Sequence, residues 1–190
     1  MKIIAQVILI VLLIGCQNAG KEVAINSKEH TTIIKTNSSF QKEDKINFIK
    51  TEKNLNKQLE KFIGKTVYID TWFTRCGSCI KQFKYAKKLE DFFNEKDVVP
   101  LYICFGNANE KDKWKELIYK YQLTGYHLFL ENKNIAEYKK DFNVKLKESL
   151  FHGAPRYLII DQKGKLIDGF APRPVKKRKL IKIINKSLRK

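Results

Sequence analysis

Thr66-Val67-Tyr68-Ile69-Asp70-Thr71-Trp72-Phe73-Thr74-Arg75-Cys76-Gly77-Ser78-Cys79 runs an apolar stretch into two cysteines three residues apart. The part up to Phe73 is rich in β-branched and aromatic residues, which predicts a strand. Beyond it, Cys79, Phe83, Ala86, Leu89 and Phe93 recur at three- and four-residue spacings, the single buried stripe of an amphipathic helix. A cysteine pair at such a junction puts one sulfur at the exposed helix start and the other one turn in. The unpaired N–H groups and the helix dipole there stabilise an anion on the first sulfur. Its pKa falls, it becomes a nucleophile, and the second sulfur lies within reach to close a disulfide.

A bare Cys-x-x-Cys is also half of a zinc knuckle, so the rest of the chain has to be asked for ligands. Cys16 and Cys104 stand alone, and His30, His127 and His152 form no paired motif, so no metal site is expected. Cys104 falls in a continuous apolar run, Val98 to Phe105, and reads as a small core hydrophobe in a strand buried on both faces.

The 190 residues, 43% apolar and 12% aromatic, suit one domain with appendages. Met1-Lys2 gives a short positive start, and Ile3 to Ile14 is an apolar run broken only by Gln6, too short to span a bilayer comfortably. It reads as a secretory signal. The run ends in Leu13-Ile14-Gly15-Cys16, which resembles the lipobox of bacterial lipoproteins. That resemblance implies a signal peptide over 1–15 and a diacylglycerol on the Cys16 thiol, with several acyl chains anchoring the mature chain to a bilayer. Residues 16–46, polar and irregular, read as a tether with a short extended patch at Thr31-Thr32-Ile33-Ile34.

Lys+Arg 38 against Asp+Glu 20 leaves a net charge of +18. Lysines dominate it and lie scattered through helices and tail, a solvated surface with an attraction for anionic lipid headgroups. An exported chain of this pattern is not expected to bind nucleic acid.

Over 47–190 the pattern predicts a helix opening at Asn54, with Leu55, Leu59 and Phe62 inward and Gly64 as its stop. A helix over Glu110–Tyr121 follows the second strand, with Trp114, Leu117, Ile118 and Tyr121 inward. Then come a short strand at Tyr126–Leu130, a short helix at Ile135–Phe142 and a hairpin turning at Gly164. A basic helix from Val175 to Leu188 closes the chain. The order βαβα then ββα implies an α/β domain: a central mixed β-sheet, parallel at its start and antiparallel at its end, with helices on both faces.

The segment Val67 to Cys79 resembles the active-site stretch of thioredoxin-fold proteins, and Gly153-Ala154-Pro155-Arg156-Tyr157-Leu158-Ile159-Ile160-Asp161 resembles their cis-proline loop and following hairpin. The insert between Phe105 and Gly153, with Ala171-Pro172-Arg173-Pro174 near the end, looks most like the TlpA/ResA-type thiol-disulfide oxidoreductases of bacterial cell envelopes. The resemblance implies a thioredoxin-like domain over 47–190 that reduces disulfides of protein substrates outside the cytoplasm. It implies recharging by a membrane electron-donor thiol reductase and no bound cofactor, since the cysteines carry the electrons. Cys76 would be the attacking thiolate and Cys79 the resolving thiol, linked through a mixed disulfide. Asp70 would be the buried acid that shuttles a proton to Cys79, and a carboxylate in so apolar a strand is costly unless its pKa rises. Ala154 and cis-Pro155 would receive the substrate backbone, and Trp72 would pack behind the cysteine turn. Arg75 adds positive potential beside the nucleophile, and His152 lies near the same loop. Gly77-Ser78 departs from the Gly-Pro pair common in the family, which leaves redox poise and direction open.

Two other readings remain at this point. One is a non-catalytic envelope lipoprotein whose Cys76–Cys79 bridge is merely structural, although so short a loop stabilises little. The other is a thiol peroxidase, which wants a threonine three residues before the cysteine, where this chain has Phe73.

Overall fold

The computed structural model describes residues 45–51, 55–140 and 144–189. The signal, Cys16, the tether up to residue 44 with Thr31–Ile34, the helix-opening Asn54 and Phe142 lie outside the described residues, whereas Ile46, read as the last tether residue, opens the first strand.

Six strands form one sheet in the order β1-β4-β3-β2-β5-β6: β1 (Ile46–Ile49), β2 (Thr66–Phe73), β3 (Val98–Gly106), β4 (Gly125–Glu131), β5 (Arg156–Ile160) and β6 (Leu166–Asp168). The pairs β1–β4, β4–β3 and β3–β2 are parallel, whereas β2–β5 and β5–β6 are antiparallel. This is the mixed sheet of a thioredoxin-like fold. The helices are α1 (Leu55–Glu60), α2 (Gly77–Ala86), α3 (Glu90–Glu95), α4 (Lys111–Tyr121), α5 (Ile135–Lys140), α6 (Val144–Leu150) and α7 (Lys177–Ser187).

Period-two alternation sorts the strand residues between two cores. On one face Val67, Ile69, Leu101, Ile103, Phe105, Leu128 and Leu158 pack with Leu55 of α1, Tyr138 of α5 and Leu150 of α6. On the other, Trp72, Tyr102, Cys104 and Phe129 meet Cys79 and Phe83 of α2 and Trp114, Leu117 and Ile118 of α4. Tyr68, Tyr157 and Ile159 complete that second face with Leu180 and Ile184 of α7. The stripe Cys79, Phe83, Ala86, Leu89, Phe93 is buried along its whole length, although a 3₁₀ turn over Lys87–Leu89 separates α2 from α3. The side chains keep facing inward because a 3₁₀ turn changes the rise and not the side of the chain that meets the sheet.

Three differences from the sequence reading concern elements with weak local signals. The sequence predicts no element at β1, since Ile-Asn-Phe-Ile does not alternate cleanly, yet it pairs with β4 from Ile46↔Gly125 to Ile49↔Leu128. Helix α6 lies inside what reads as an undivided insert. Glu110 sits in a 3₁₀ turn just ahead of α4 and not in the helix itself. Gly64, expected as a helix stop, has φ +90, a backbone that only glycine adopts without strain.

Topology puts the chemistry at one end of the central strands. The last residue of β2 pairs with the penultimate residue of β3 (Phe73↔Phe105), and the first of β5 pairs with Thr71. The loop leaving β2, the loop leaving β3 and the loop entering β5 therefore converge at the same end.

Candidate redox site at the β2–α2 junction

Strand β2 ends at Phe73, the chain turns through Thr74 and Arg75, and α2 opens with Cys76 as its N-cap. The Cys76 Sγ accepts a hydrogen bond from the Cys79 backbone N–H at 3.2 Å, and it lies 3.4 Å from the Ser78 hydroxyl. This is the role a Ser or Asp side chain plays at most helix starts, here taken by sulfur. Cys76 is half-buried and Cys79 is fully buried against Trp72 and Phe83. The two sulfurs are joined as a disulfide, with Cα atoms 5.2 Å apart. The pair is therefore asymmetric, with one sulfur toward solvent at the positive end of a helix and one sealed in the core.

The turn before the nucleophile is pinned from a distant part of the chain. Glu110 Oε1 accepts the Thr74 hydroxyl at 2.6 Å and the Arg75 Nε–H at 3.2 Å. Its Oε2 accepts the Asn107 N–H at 2.8 Å, closing a capping box at the start of the turn that leads into α4. The Thr74 and Asn107 hydrogen bonds, with the Arg75 charge behind them, hold the Glu110 carboxyl below the usual carboxylate range. The Arg75 guanidinium, otherwise well exposed, is thus partly answered by a carboxylate. Sequence reasoning missed Glu110. Asn107-x-x-Glu110 is a recognisable cap signal, but nothing local says that it reaches Thr74. Replacing Glu110 with Gln keeps an acceptor for the N-cap and removes the anion. The expected result is a Cys76 alkylation midpoint lower by a few tenths of a pH unit, because a cation beside the thiolate is then unopposed. A rise in the midpoint would show instead that the carboxylate acts by holding the turn.

On β2, Asp70 is 1% exposed and neither of its carboxyl oxygens has a hydrogen-bond partner among the described residues. Burial raises its pKa well above the ordinary carboxylate value. In register it faces Tyr102 on β3 and Tyr157 on β5, and on the same row His127 of β4 faces Tyr102. Burial first and the Asp70 charge second raise both of those tyrosines, and burial lowers His127 to about 4. His127 stacks on Tyr102 at 5.0 Å, and its Nε2 lies 2.9 Å from the Leu123 carbonyl. The row carries titratable side chains through an apolar core, and burial works against the ionised form of each. Cys104, also buried, has a thiol raised by burial and by Glu110, and it stays with the packing residues.

The loop entering β5 is held over the same end. The Ala154–Pro155 peptide is cis, and Ala154 packs against the core cluster that contains Cys79 and Trp72. The Thr71 hydroxyl lies 3.4 Å from the Gly153 carbonyl and 3.3 Å from that of Arg156, tying the loop to β2. Trp72, fully buried, meets Phe83 edge-on at 5.0 Å. His152 is exposed in this loop. No group of three or more His, Cys, Asp or Glu side chains suited to a metal occurs among the described residues.

Residues 35–182 match the family model described as Redoxin. Among solved structures, a protein from Bacteroides vulgatus named as a candidate thiol-disulfide oxidoreductase is 27% identical with a TM-score of 0.52, the match covering 67% of this chain and 77% of that one. A thiol:disulfide interchange protein from a Bacteroides species is 20% identical over 70% of this chain and 78% of that one, TM-score 0.52. A thioredoxin-family thiol:disulfide interchange protein from Chlorobium tepidum is 14% identical over 68% and 83%, TM-score 0.52. The last two show the fold. No curated protein matches the chain.

Proposed function

Because the chain belongs to the Redoxin family, we propose that it is an extracytoplasmic thiol-disulfide oxidoreductase that reduces protein disulfides through Cys76 and Cys79. The observation that carries this reading is the placement of the two sulfurs: Cys76 caps the start of α2 and accepts the Cys79 N–H, while Cys79 is buried one turn deeper.

In the dithiol state the Cys76 thiolate attacks one sulfur of a substrate disulfide. A mixed disulfide forms and the departing substrate sulfur takes up a proton. Cys79, losing its proton to Asp70, then attacks Cys76 Sγ, so that the second substrate sulfur leaves as a thiol. Two electrons pass from the protein dithiol to the substrate, and the Cys76–Cys79 bridge remains. A buried carboxyl whose ionised form is disfavoured is a strong base once deprotonated, which suits it to receive that proton. Ala154 and Pro155 receive the substrate backbone beside the disulfide, and Trp72 backs the turn. A thiol reductase in the membrane returns the two electrons. Residues 1–15 act as a lipoprotein signal, an acylated Cys16 anchors the chain to a bilayer of the cell envelope, and 16–46 tether the domain over 47–190.

Alkylation of the reduced protein against pH tests this reading. Cys76 should react with a midpoint at least about one unit below the free-thiol value near 8.5. A midpoint at or above that value would leave the bridge a structural one.

A further inference from the structure

The cis-proline loop also forms one wall of an open groove of about 390 Å³, whose lining continues through Arg156, Tyr157, Phe170 and Arg173, residues to which the redox chemistry gives no role. Phe170 is 72% exposed, the most exposed large apolar side chain among the described residues. It is not simply loose in solvent, because the Arg156 guanidinium lies over its ring at 4.0 Å from the centroid. An arginine stacked in this way is held in one orientation with its donors outward. Arg173 stands exposed on the other part of the lining. Among the described residues no ion pair joins a carboxylate to either arginine. The acid of the adjoining strand, Asp168, is engaged in accepting the Phe170 N–H at 2.8 Å. His152 adds a further polar group to the same lining. Tyr157 pairs in register with Asp70, and its hydroxyl is buried, with no hydrogen-bond partner among the described residues. Burial raises its pKa, and Arg173 is near enough to oppose that rise.

Two guanidiniums without a carboxylate partner and an exposed ring form a receptor for a carboxylate with some apolar body beside it. We infer that this groove selects substrates, favouring disulfides whose flanking peptide carries an acidic side chain close to the target cysteine. Arginine binds carboxylate through paired, charge-assisted hydrogen bonds, and aromatic and arginine side chains dominate the binding energy of peptide contacts. The distance restricts where the acid lies. Arg156 follows Ala154 by two residues, about 7 Å along an extended chain. The acidic residue therefore falls within about two or three positions of the cysteine that Cys76 attacks. A basic peptide at the same place meets two like charges and is rejected.

This inference rests on the redox reading above, and its test separates the two. Three peptide disulfides, identical except for Asp, Asn or Lys two residues from the cysteine, are reduced by the full chain, alongside the small uncharged 2-hydroxyethyl disulfide. Wild type is expected to show kcat/KM for the Asp peptide about tenfold or more above the Lys peptide. In an Arg156→Gln/Arg173→Gln variant, checked for folding by thermal unfolding, that ratio should collapse to within about twofold. A Lys179→Gln/Lys182→Gln variant, with the same loss of charge on the exposed face of α7, should keep the ratio of wild type. Equal rates for the three peptides in wild type overturn the inference, as does a ratio that survives in the double arginine variant and falls in the lysine variant. The latter result would assign the preference to overall charge. Inertness of wild type toward the uncharged disulfide as well would instead overturn the redox reading on which the groove's role depends.

Discussion

A Cys79→Ser variant is expected to accumulate as a covalent adduct with its substrate, and a Cys76→Ser variant to lose disulfide reduction altogether, by about 10⁴-fold or more. The asymmetry follows from the burial of the two sulfurs. Cys76 is half-exposed at a helix start where an N–H already points at its sulfur, so it can meet an external disulfide; Cys79 is sealed against Trp72 and Phe83 and cannot. Serine at 76 replaces a thiol with a hydroxyl, a far poorer nucleophile toward disulfides, and among the described residues no second thiol is exposed to take over, since Cys104 is buried with its pKa raised. Serine at 79 leaves the first attack intact and removes the one sulfur among the described residues placed beside Cys76 to release the product. Non-reducing electrophoresis of the purified variants after incubation with a protein disulfide, followed by mass spectrometry of the adduct, reads both results. Adducts on Cys79 in a Cys76→Ser background, or none on Cys76 in the Cys79→Ser background, would reverse or remove the assigned order.

How much of this was legible in the chain depends on how far each interaction reaches. The junction of β2 with α2 was legible because its signals are local: a β-branched run, a cysteine pair, and a stripe at helical spacing that stays buried from Cys79 to Phe93. The hairpin around Gly164 and the inward residues Leu180 and Ile184 of α7 follow the same logic. So does the expectation that Asp70, set in an apolar strand, is buried and raised. What escaped is held together across the sheet. Nothing near Thr74 or Glu110 says that they meet over 36 positions of separation. Strand β1 is a four-residue edge whose place comes only from its pairing with β4, and helix α6 offers seven residues with little periodicity. The Tyr157–Asp70–Tyr102–His127 row exists only through strand register, which a one-residue slip would destroy. Arg156 over Phe170 likewise joins two strands' ends, and sequence gives each residue only as part of a hairpin.

The largest effect on stability is expected at Asp70, and its sign is set by the direction of the pKa change. Burial raises the folded-state pKa above the unfolded value, so the folded protein holds a proton that the unfolded chain has already lost. Asp70 therefore costs the protein nothing below the ordinary carboxylate pKa, where both states are protonated. As pH rises past that value, stability falls by about 1.4 kcal/mol per unit until the buried carboxyl itself ionises, and then levels off. An Asp70→Asn variant removes this titration while keeping shape and hydrogen-bonding capacity. Denaturant unfolding of both proteins in the same redox state should give similar stabilities near pH 4 and a widening advantage for the variant toward neutral pH. The same substitution is expected to leave alkylation of Cys76 nearly unchanged and to slow product release from the mixed disulfide by about 10²-fold, the ordinary size of a lost general base. Parallel stability curves would mean that the carboxylate is already ionised or paired in the folded state. The folded pKa would then not be raised, and Asp70 would lack the extra basicity assigned to it as acceptor of the Cys79 proton. A stabilised variant with slowed release would instead show that the sheet gives up stability at neutral pH in order to keep a strong base behind the resolving sulfur.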